Sequence, residues 1–172
     1  MANEQNNSSI LGKGMFIAAW LIALGLLSVV FDEQLMQQFN PNQQPESRTV
    51  SNRTEVILKR NRQGHYVTSG VINGKNVIFL VDTGATDVSV PAHLAEDLNL
   101  PQGRPLRSRT ANGTVTVYDT NIEYLAIAEL MLQDVDGNIN PGMQGNEILL
   151  GMSVLKQLEF TQRGDTLILR TL

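Results

Sequence analysis

Asp82 is the residue whose type and position best suit chemistry, because its carboxylate directly follows the apolar run Val77–Val81. An ionisable group at the end of such a strand is costly to bury, so it usually has a partner or a task. Gly84 permits a tight turn after it, and the Thr83 hydroxyl is available to lock a neighbouring loop. Proton transfer is one interpretation, and the other is that Asp82 only caps a turn.

A second motif follows nearer the C-terminus. The apolar residues Ile148, Leu149 and Leu150 end in Gly151, and the chain then turns into the short amphipathic segment Met152–Leu155. An apolar strand that stops at a glycine predicts a sharp change of direction. The two motifs therefore both place a turn directly after a buried strand.

The composition excludes several other kinds of site. The chain has 172 residues, no cysteine, two histidines and a formal net charge of −4. Without cysteine there is no disulfide, no cysteine-ligated zinc or iron–sulfur site and no thiol catalysis. The Lys and Arg residues are scattered, so we expect no nucleic-acid partner. The sequence from Asp134 lacks the Gly and Glu of a calcium loop, and we expect neither a metal nor a cofactor.

The N-terminal third is built around an uncharged apolar stretch, residues 15–31. As a helix it would be about 26 Å long, close to the ~30 Å hydrocarbon core of a bilayer. It has no polar face and no small-residue cleavage pattern, which favours a transmembrane anchor over a core helix or a cleaved signal peptide. Lys13 precedes it, and Asp32 and Glu33 follow it. The positive-inside rule then places a short tail, residues 1–14, in the cytoplasm.

This orientation predicts a single-pass protein of the cell inner membrane, with everything after the anchor in the periplasm or otherwise outside the cytoplasm. Residues 32–54 are rich in Gln, Asn and Pro, which predicts a disordered linker. Residues 55–172 contain short Val-, Ile- and Thr-rich runs separated by Gly and Asn, a pattern typical of a mostly β domain.

Several elements of that domain are predicted individually. Asn73-Gly74 and Asn112-Gly113 each have the composition of a two-residue hairpin turn. Val77–Val81 is apolar at every position, which predicts a strand covered on both faces. One short helix is expected at Pro91–Leu98.

Taken together, the segments Phe79–Ala85 and Ile148–Gly151 resemble the two motifs of the retropepsin-like aspartic proteases, in particular their bacterial, single-domain, membrane-anchored branch. The resemblance covers about Val56 to Leu172. It implies a mostly β, closed β-barrel protomer with one short helix, preceded by the transmembrane helix. It also implies an aspartic endopeptidase that cuts peptide or protein substrates without a cofactor.

Roles follow from the resemblance position by position. Asp82 is the expected catalytic residue, and Thr83, Gly84 and Ala85 are expected to form the active-site loop and the grip between two subunits. Leu149, Leu150 and Gly151 are expected to support that loop from behind.

The sequence departs from the viral members of the family at two places. Those members often carry Asp directly after the Ala, where this chain has Thr86 and then Asp87, so both are candidates for contact with the substrate backbone. They also tend to carry Arg where this chain has Met152, a position that contributes to ion pairs between subunits.

The resemblance also predicts a homodimer, because this chain supplies only one Asp-Thr-Gly. Two carboxylates about 3 Å apart share one proton, so one acts as a base on water while the other protonates the peptide carbonyl. The hairpin Arg109–Val117, with Ala111, Asn112 and Gly113 at its tip, is the candidate flap over the substrate.

Two alternatives remain open at the level of the sequence. The chain could be a membrane-tethered, non-catalytic peptide-binding or assembly module on the same fold. It could also be a β domain of unrelated fold in which Asp82 merely caps a turn.

Overall fold

The computed structural model describes residues 2–110 and 113–172, which divide into two compact units at Gln38 and Phe39. The first unit is helix α1, Ala2–Phe39. Its part from Lys13 to Phe39 is long and apolar enough to cross a membrane. The predicted anchor, residues 15–31, lies within this part. The chain therefore has one apolar N-terminal helix with the length and composition of a membrane anchor or a signal sequence.

The second unit is mostly β, as predicted. Its two short helical elements are a 3₁₀ helix, Ala92–Leu94, and helix α2, Met152–Leu155. Its strands, in chain order, are β1 (Glu46–Val50), β2 (Arg53–Lys59), β3 (Val67–Ile72), β4 (Lys75–Val81), β5 (Val88–Pro91), β6 (Pro105–Thr110), β7 (Gly113–Ile127), β8 (Leu130–Asn140), β9 (Glu147–Leu150), β10 (Leu158–Arg163) and β11 (Thr166–Thr171).

Seven strands form the larger sheet, in the order β3-β4-β9-β5-β8-β7-β6. An additional pairing of β3 with β7, through Val71 with Ala126 and Ile72 with Leu125, closes six of these strands into a ring. Only these two residue pairs join β3 to β7, so the expected closed barrel takes the form of a ring with a short seam.

Strand β9 lies between β4 and β5, parallel to β4 and antiparallel to β5. The strands that carry the two sequence motifs are therefore hydrogen-bonded neighbours. Their buried side chains belong to one core cluster, in which Phe79, Val88, Ile148 and Leu150 are fully buried. The core thus holds in place the strand ends from which both motifs emerge.

The hairpin predicted at Asn73-Gly74 is present. Both residues have positive φ, 48° and 81°, as a two-residue hairpin turn requires, and β3 pairs with β4 on either side.

Strand β4 differs from the prediction that both its faces are covered. Phe79 is fully buried, but Val77, Ile78, Leu80 and Val81 are only half-buried. Val77 lies on the face of Phe79 and packs against the core, whereas Ile78 lies on the opposite face. Both residues border a cavity of about 870 Å³. An all-apolar strand shows that both faces tolerate burial, but it does not show what packs on the second face.

The helix predicted at Pro91–Leu98 is shorter than expected. Pro91 ends β5, and the following residues form a single 3₁₀ turn, Ala92–Leu94, continued by turns. Leu98 is nevertheless buried, so the apolar spacing correctly predicted the inward face.

The segment 32–54, expected to be a disordered linker, has regular structure. Helix α1 continues to Phe39, and β1 and the start of β2 occupy residues 46–54. Between them, Asn42 is buried, and its side chain donates to the carbonyls of Lys59 (2.9 Å) and Val67 (2.6 Å). It also accepts the Lys59 N–H at 2.7 Å. A polar composition shows that a segment has no apolar core of its own. It does not exclude order, because an amide side chain such as that of Asn42 can hydrogen-bond backbone groups of neighbouring strands.

A second sheet has the order β1-β2-β11-β10. One row of side chains crosses all four strands and alternates in charge: Arg48, Glu55, Arg170 and Glu159. Glu55 is 1% exposed, and it is bonded by Arg48 at 2.7 Å on one side and by Arg170 on the other. Because each pair joins neighbouring strands, this charge ladder matches the register of the sheet.

Candidate active site

Asp82 lies at the end of β4, where the strand leaves the sheet. Its backbone N–H still donates to the Leu150 carbonyl of β9 at 3.2 Å, so its position is fixed by the neighbouring strand. The side chain is half-buried, and its Oδ1 accepts the Gly84 N–H at 2.8 Å. Within the described residues, Oδ2 forms no hydrogen bond. Asp82 therefore caps the turn with one oxygen and keeps the other free.

The residues after Asp82 form a tight loop that returns to β5. The Ala85 N–H donates to the Asp82 carbonyl at 3.2 Å, which closes the turn through Thr83 and Gly84. Thr83, Gly84 and Thr86 are exposed, whereas Ala85 and Asp87 are half-buried. The loop thus presents its polar tip to the outside of this chain.

Gly151 packs directly behind the loop. A Cβ at this position would lie 2.8 Å from the Ala85 carbonyl oxygen and closer still to that of Asp87. Both are backbone oxygens, and the Ala85 carbonyl also accepts the Met152 N–H, so only glycine fits here. Leu149 and Leu150 precede it in β9, and the predicted support residues therefore lie next to the loop they were expected to support.

The first residues of α2 hold the loop from the same side. The Met152 N–H donates to the Ala85 carbonyl at 2.9 Å, and the Ser153 N–H donates to the Thr86 carbonyl at 2.8 Å. The Ser153 hydroxyl accepts the Val88 N–H at 3.0 Å and donates to the Asp136 carbonyl at 2.8 Å. The active-site loop is consequently bonded along its length to one short segment.

Asp87 faces a cavity of about 490 Å³ whose border includes Asp119, Asp136 and Leu106. Burial raises the pKa of Asp87, and the negative charge of Asp136 raises it further, while Lys156 partly opposes this. Asp87 is thus a carboxyl with an environment different from that of Asp82. The larger cavity beside β3 and β4 is bordered by none of the loop residues.

The candidate flap is only partly visible. Strands β6 and β7 pair from Pro105 with Tyr118 to Thr110 with Gly113, so an antiparallel hairpin is present. Gly113 has φ 115°, a conformation that favours glycine. Ala111 and Asn112 lie outside the described residues, and the flap role of all three tip residues stays a prediction.

Two residues at this site were missed from the sequence. Residues 151–155 lack the second Gly of a nucleophile elbow, so Ser153 was assigned no catalytic role, and its position behind the loop was not predicted. Asp136 is distant in sequence and reaches Asp87 only through the parallel pairing of β5 with β8. The pairing of strands that are distant in sequence brings both residues to the loop, so no local signal in the sequence reveals either of them.

Known proteins similar to this chain include an aspartic protease of known structure and two uncharacterized proteins. The chain is similar to a retropepsin-like aspartic protease of known structure from Rickettsia conorii, with 26% identity, a TM-score of 0.58, and coverage of 74% of this chain and 94% of that one. It is 28% identical to an uncharacterized protein in the cobV 5′ region of Sinorhizobium sp., over 92% of this chain and 74% of the relative.

It is also 29% identical to uncharacterized protein RP867 of Rickettsia prowazekii (strain Madrid E), over 67% of this chain; the match spans 51% of that relative. The family model described as gag-polyprotein putative aspartyl protease matches residues 68–157, more than half of the 172 residues, and includes both motifs. With its retropepsin-like fold, the chain belongs to this family of aspartyl proteases.

Proposed function

We propose that this protein is a homodimeric aspartic endopeptidase in which the Asp82 carboxylates of two copies share one proton and activate water. The observation that carries the proposal is the geometry of Asp82. It is half-buried at a strand end, one oxygen is fixed by the Gly84 N–H at 2.8 Å, and the loop around it is bonded from behind by β9 and α2. A carboxylate placed only to cap a turn would not need this second layer of support.

The reaction follows from the chemistry of such a pair. Two neighbouring carboxylates cannot both ionise, so the pair holds a single proton. The ionised carboxylate removes a proton from water while the water oxygen forms a bond to the carbonyl carbon of the substrate. At the same time the protonated carboxyl donates its proton to the carbonyl oxygen. Collapse of the tetrahedral intermediate breaks the C–N bond: the protonated carboxyl gives its proton to the leaving amine, and the ionised carboxylate takes a proton from one hydroxyl of the intermediate. The product is a carboxylic acid, and the pair again holds one proton.

Association of two copies is required because each chain has one Asp-Thr-Gly. Thr83 is exposed beside Asp82, as expected of a hydroxyl that bonds a second subunit across a two-fold axis. Thr86 and Asp87 follow on the same loop, and we propose that they contact the substrate backbone. The β6–β7 hairpin is proposed to cover the bound peptide.

The proposal includes a place of action. We propose that α1 anchors the protein in a membrane with its N-terminus in the cytoplasm and the second unit outside it. Lys13 before the apolar stretch and Asp32 and Glu33 after it support this orientation. Substrates would then be peptides or proteins that reach the outer side of that membrane.

Asp82→Asn tests the function, with Asp134→Asn as a matched control. Asp134 is exposed and has φ 52°, a conformation that asparagine adopts readily. The full chain in detergent is incubated with denatured protein at acidic and neutral pH. We expect cleavage by wild type and D134N, blocked by a statine-type inhibitor, and a loss of about 10²-fold or more in D82N.

The outcomes separate the alternatives. Wild-type activity in D82N would overturn the aspartic mechanism. A folded dimer that binds peptide without cutting it would instead favour the binding-module interpretation.

A further inference from the structure

Ser153 is a buried polar residue whose N–H and hydroxyl bond both the segment from Thr86 to Val88 and strand β8. It is 2% exposed, and its N–H donates to Thr86. Its hydroxyl accepts the Val88 N–H at 3.0 Å and donates to the Asp136 carbonyl at 2.8 Å. One side chain therefore joins the end of the active-site loop to β8, two segments that no local turn connects.

The loop has few other fixed points. Its backbone bonds go to Leu150 at Asp82, to Met152 at Ala85 and to Ser153 at Thr86, all through main-chain atoms. Among the described residues, Ser153 has the one side chain from outside the loop that hydrogen-bonds the backbone of residues 82–88. Main-chain bonds survive a change of side chain, so this hydroxyl is the one support that a point mutation can remove selectively.

We propose that Ser153 is a positioning residue that sets the geometry of the active-site loop, and hence of Asp82, through the Val88 amide. The inference rests on the proposed function in one respect: loop geometry matters to catalysis only if Asp82 is catalytic.

The physical reason is the cost of an unpaired buried group. In Ser153→Ala, the buried Val88 N–H loses its acceptor, and the part-buried Asp136 carbonyl loses a donor. The unpaired Val88 N–H carries the larger cost, because Val88 is fully buried. The backbone relieves this by shifting, and the loop is only six residues from Asp82 to Asp87. A displacement of about 1 Å at a reacting group reduces the rate by up to about 10²-fold.

The test uses three variants of the full chain in detergent. Ser153→Ala removes the hydroxyl, and Ser153→Thr keeps it. Ser89→Ala is the matched control, because Ser89 is also buried (6% exposed) and follows the loop in β5, but its hydroxyl bonds the side chains of Asn138 and Met143. Both alanine variants thus lose one buried hydroxyl, and only one of them touches the loop backbone.

We expect S153A to lower kcat by about tenfold or more with KM within about twofold of wild type, because the reacting groups move while the substrate still binds. S153T should restore kcat. S89A should lose stability to urea to a similar degree without this change in kcat. An equal loss of kcat in S89A and S153A would overturn the proposal.

Amide hydrogen exchange measured by NMR gives a readout independent of activity. In S153A the Val88 amide and, next to the catalytic position, the Ala85 amide should exchange about tenfold faster or more, and neither should change in S89A. Unchanged exchange at Ala85 would overturn the positioning role. If wild type cuts no substrate, the proposed function fails, and the exchange data still decide whether Ser153 holds the loop.

Discussion

At the scale of single residues, Gly151 is the position where the site has the least freedom. Its Cα lies against the carbonyls of Ala85 and Asp87, so any side chain would enter the backbone of the loop. Asp82 has the opposite property, because one of its oxygens is fixed and the other is free. The site therefore combines a position that accepts no side chain, Gly151, with a carboxylate that keeps one oxygen available, Asp82.

Gly151→Ala should destabilise the fold by about 1–3 kcal/mol, since the added methyl forces the loop or α2 to move. Gly145→Ala is the control, because a methyl there meets only the mobile end of the Glu147 side chain. Urea unfolding followed by circular dichroism measures both. Equal midpoints for the two variants would contradict the close packing described for Gly151.

Glu55 makes stability depend on pH. Its hydrogen bonds from Arg48, and then from Arg170, hold the pKa of its carboxyl below the usual value. A group with a lowered folded-state pKa stabilises the protein above its unfolded-state pKa, about 4.3, and this contribution disappears as pH falls through the folded-state pKa. Wild type should thus lose stability below about pH 4.3.

Glu55→Gln should be less stable than wild type at pH 7, because it leaves two arginines without their carboxylate, and its stability should fall less steeply on acidification. Glu46→Gln, an exposed change on β1, is the control and should follow wild type. Urea midpoints between pH 7 and pH 3 give the comparison. Parallel curves for E55Q and wild type would show that the ladder does not carry the pH dependence.

At the scale of elements, the residues after α1 act as part of the protease unit. The Asn42 amide bonds Lys59 and Val67, while the Asn42 carbonyl accepts the Ser69 N–H at 3.1 Å. This short stretch thereby fastens the end of β2 to the start of β3. The unit that can be expected to fold alone begins at Phe39 and not near Val56.

Asn42→Ala should destabilise the second unit by about 2 kcal/mol or more, because the buried Val67 carbonyl and the part-buried N–H and carbonyl of Lys59 lose their partners. Gln44→Ala, an exposed change in the same polar segment, should have almost no effect. Thermal unfolding of the two variants gives the difference. Coincident unfolding curves for the two variants would show that Asn42 does not stabilise the second unit and that this segment is only a linker.

The sequence predicted the structure best where the conformation of a segment depends on its own residues and their immediate neighbours. The turn at Asn73-Gly74, the loop after Asp82 and the glycine that ends β9 all follow from residue type and the preceding strand. Asn42 and Ser153 could not be found in this way, because their roles arise from partners more than fifteen residues away in the chain. The open face of β4 was missed for a related reason, since apolar residues do not specify what covers them.

At the scale of the whole molecule, the proposed shared dyad would make activity a property of pairs of chains. Adding an equal amount of D82N to wild type under exchange conditions should reduce the activity to about half, because mixed dimers contain only one Asp82. Thr83→Ala introduced into D82N should abolish this inhibition, because it weakens pairing. Activity that stays constant on addition of D82N would rule out the shared dyad.

The threading of β9 between β4 and β5 also sets an order of events during synthesis. Residues 82–87 leave the ribosome well before their partners at Leu150, Met152 and Ser153, so the loop cannot reach its final form until residues 150–153 have also been made. Such a pairing between distant segments closes late and slowly in folding. On the proposed mechanism, a nascent chain that has not reached residue 153 should therefore leave neighbouring polypeptides uncut, and a truncated chain that stops before residue 150 should never cut them.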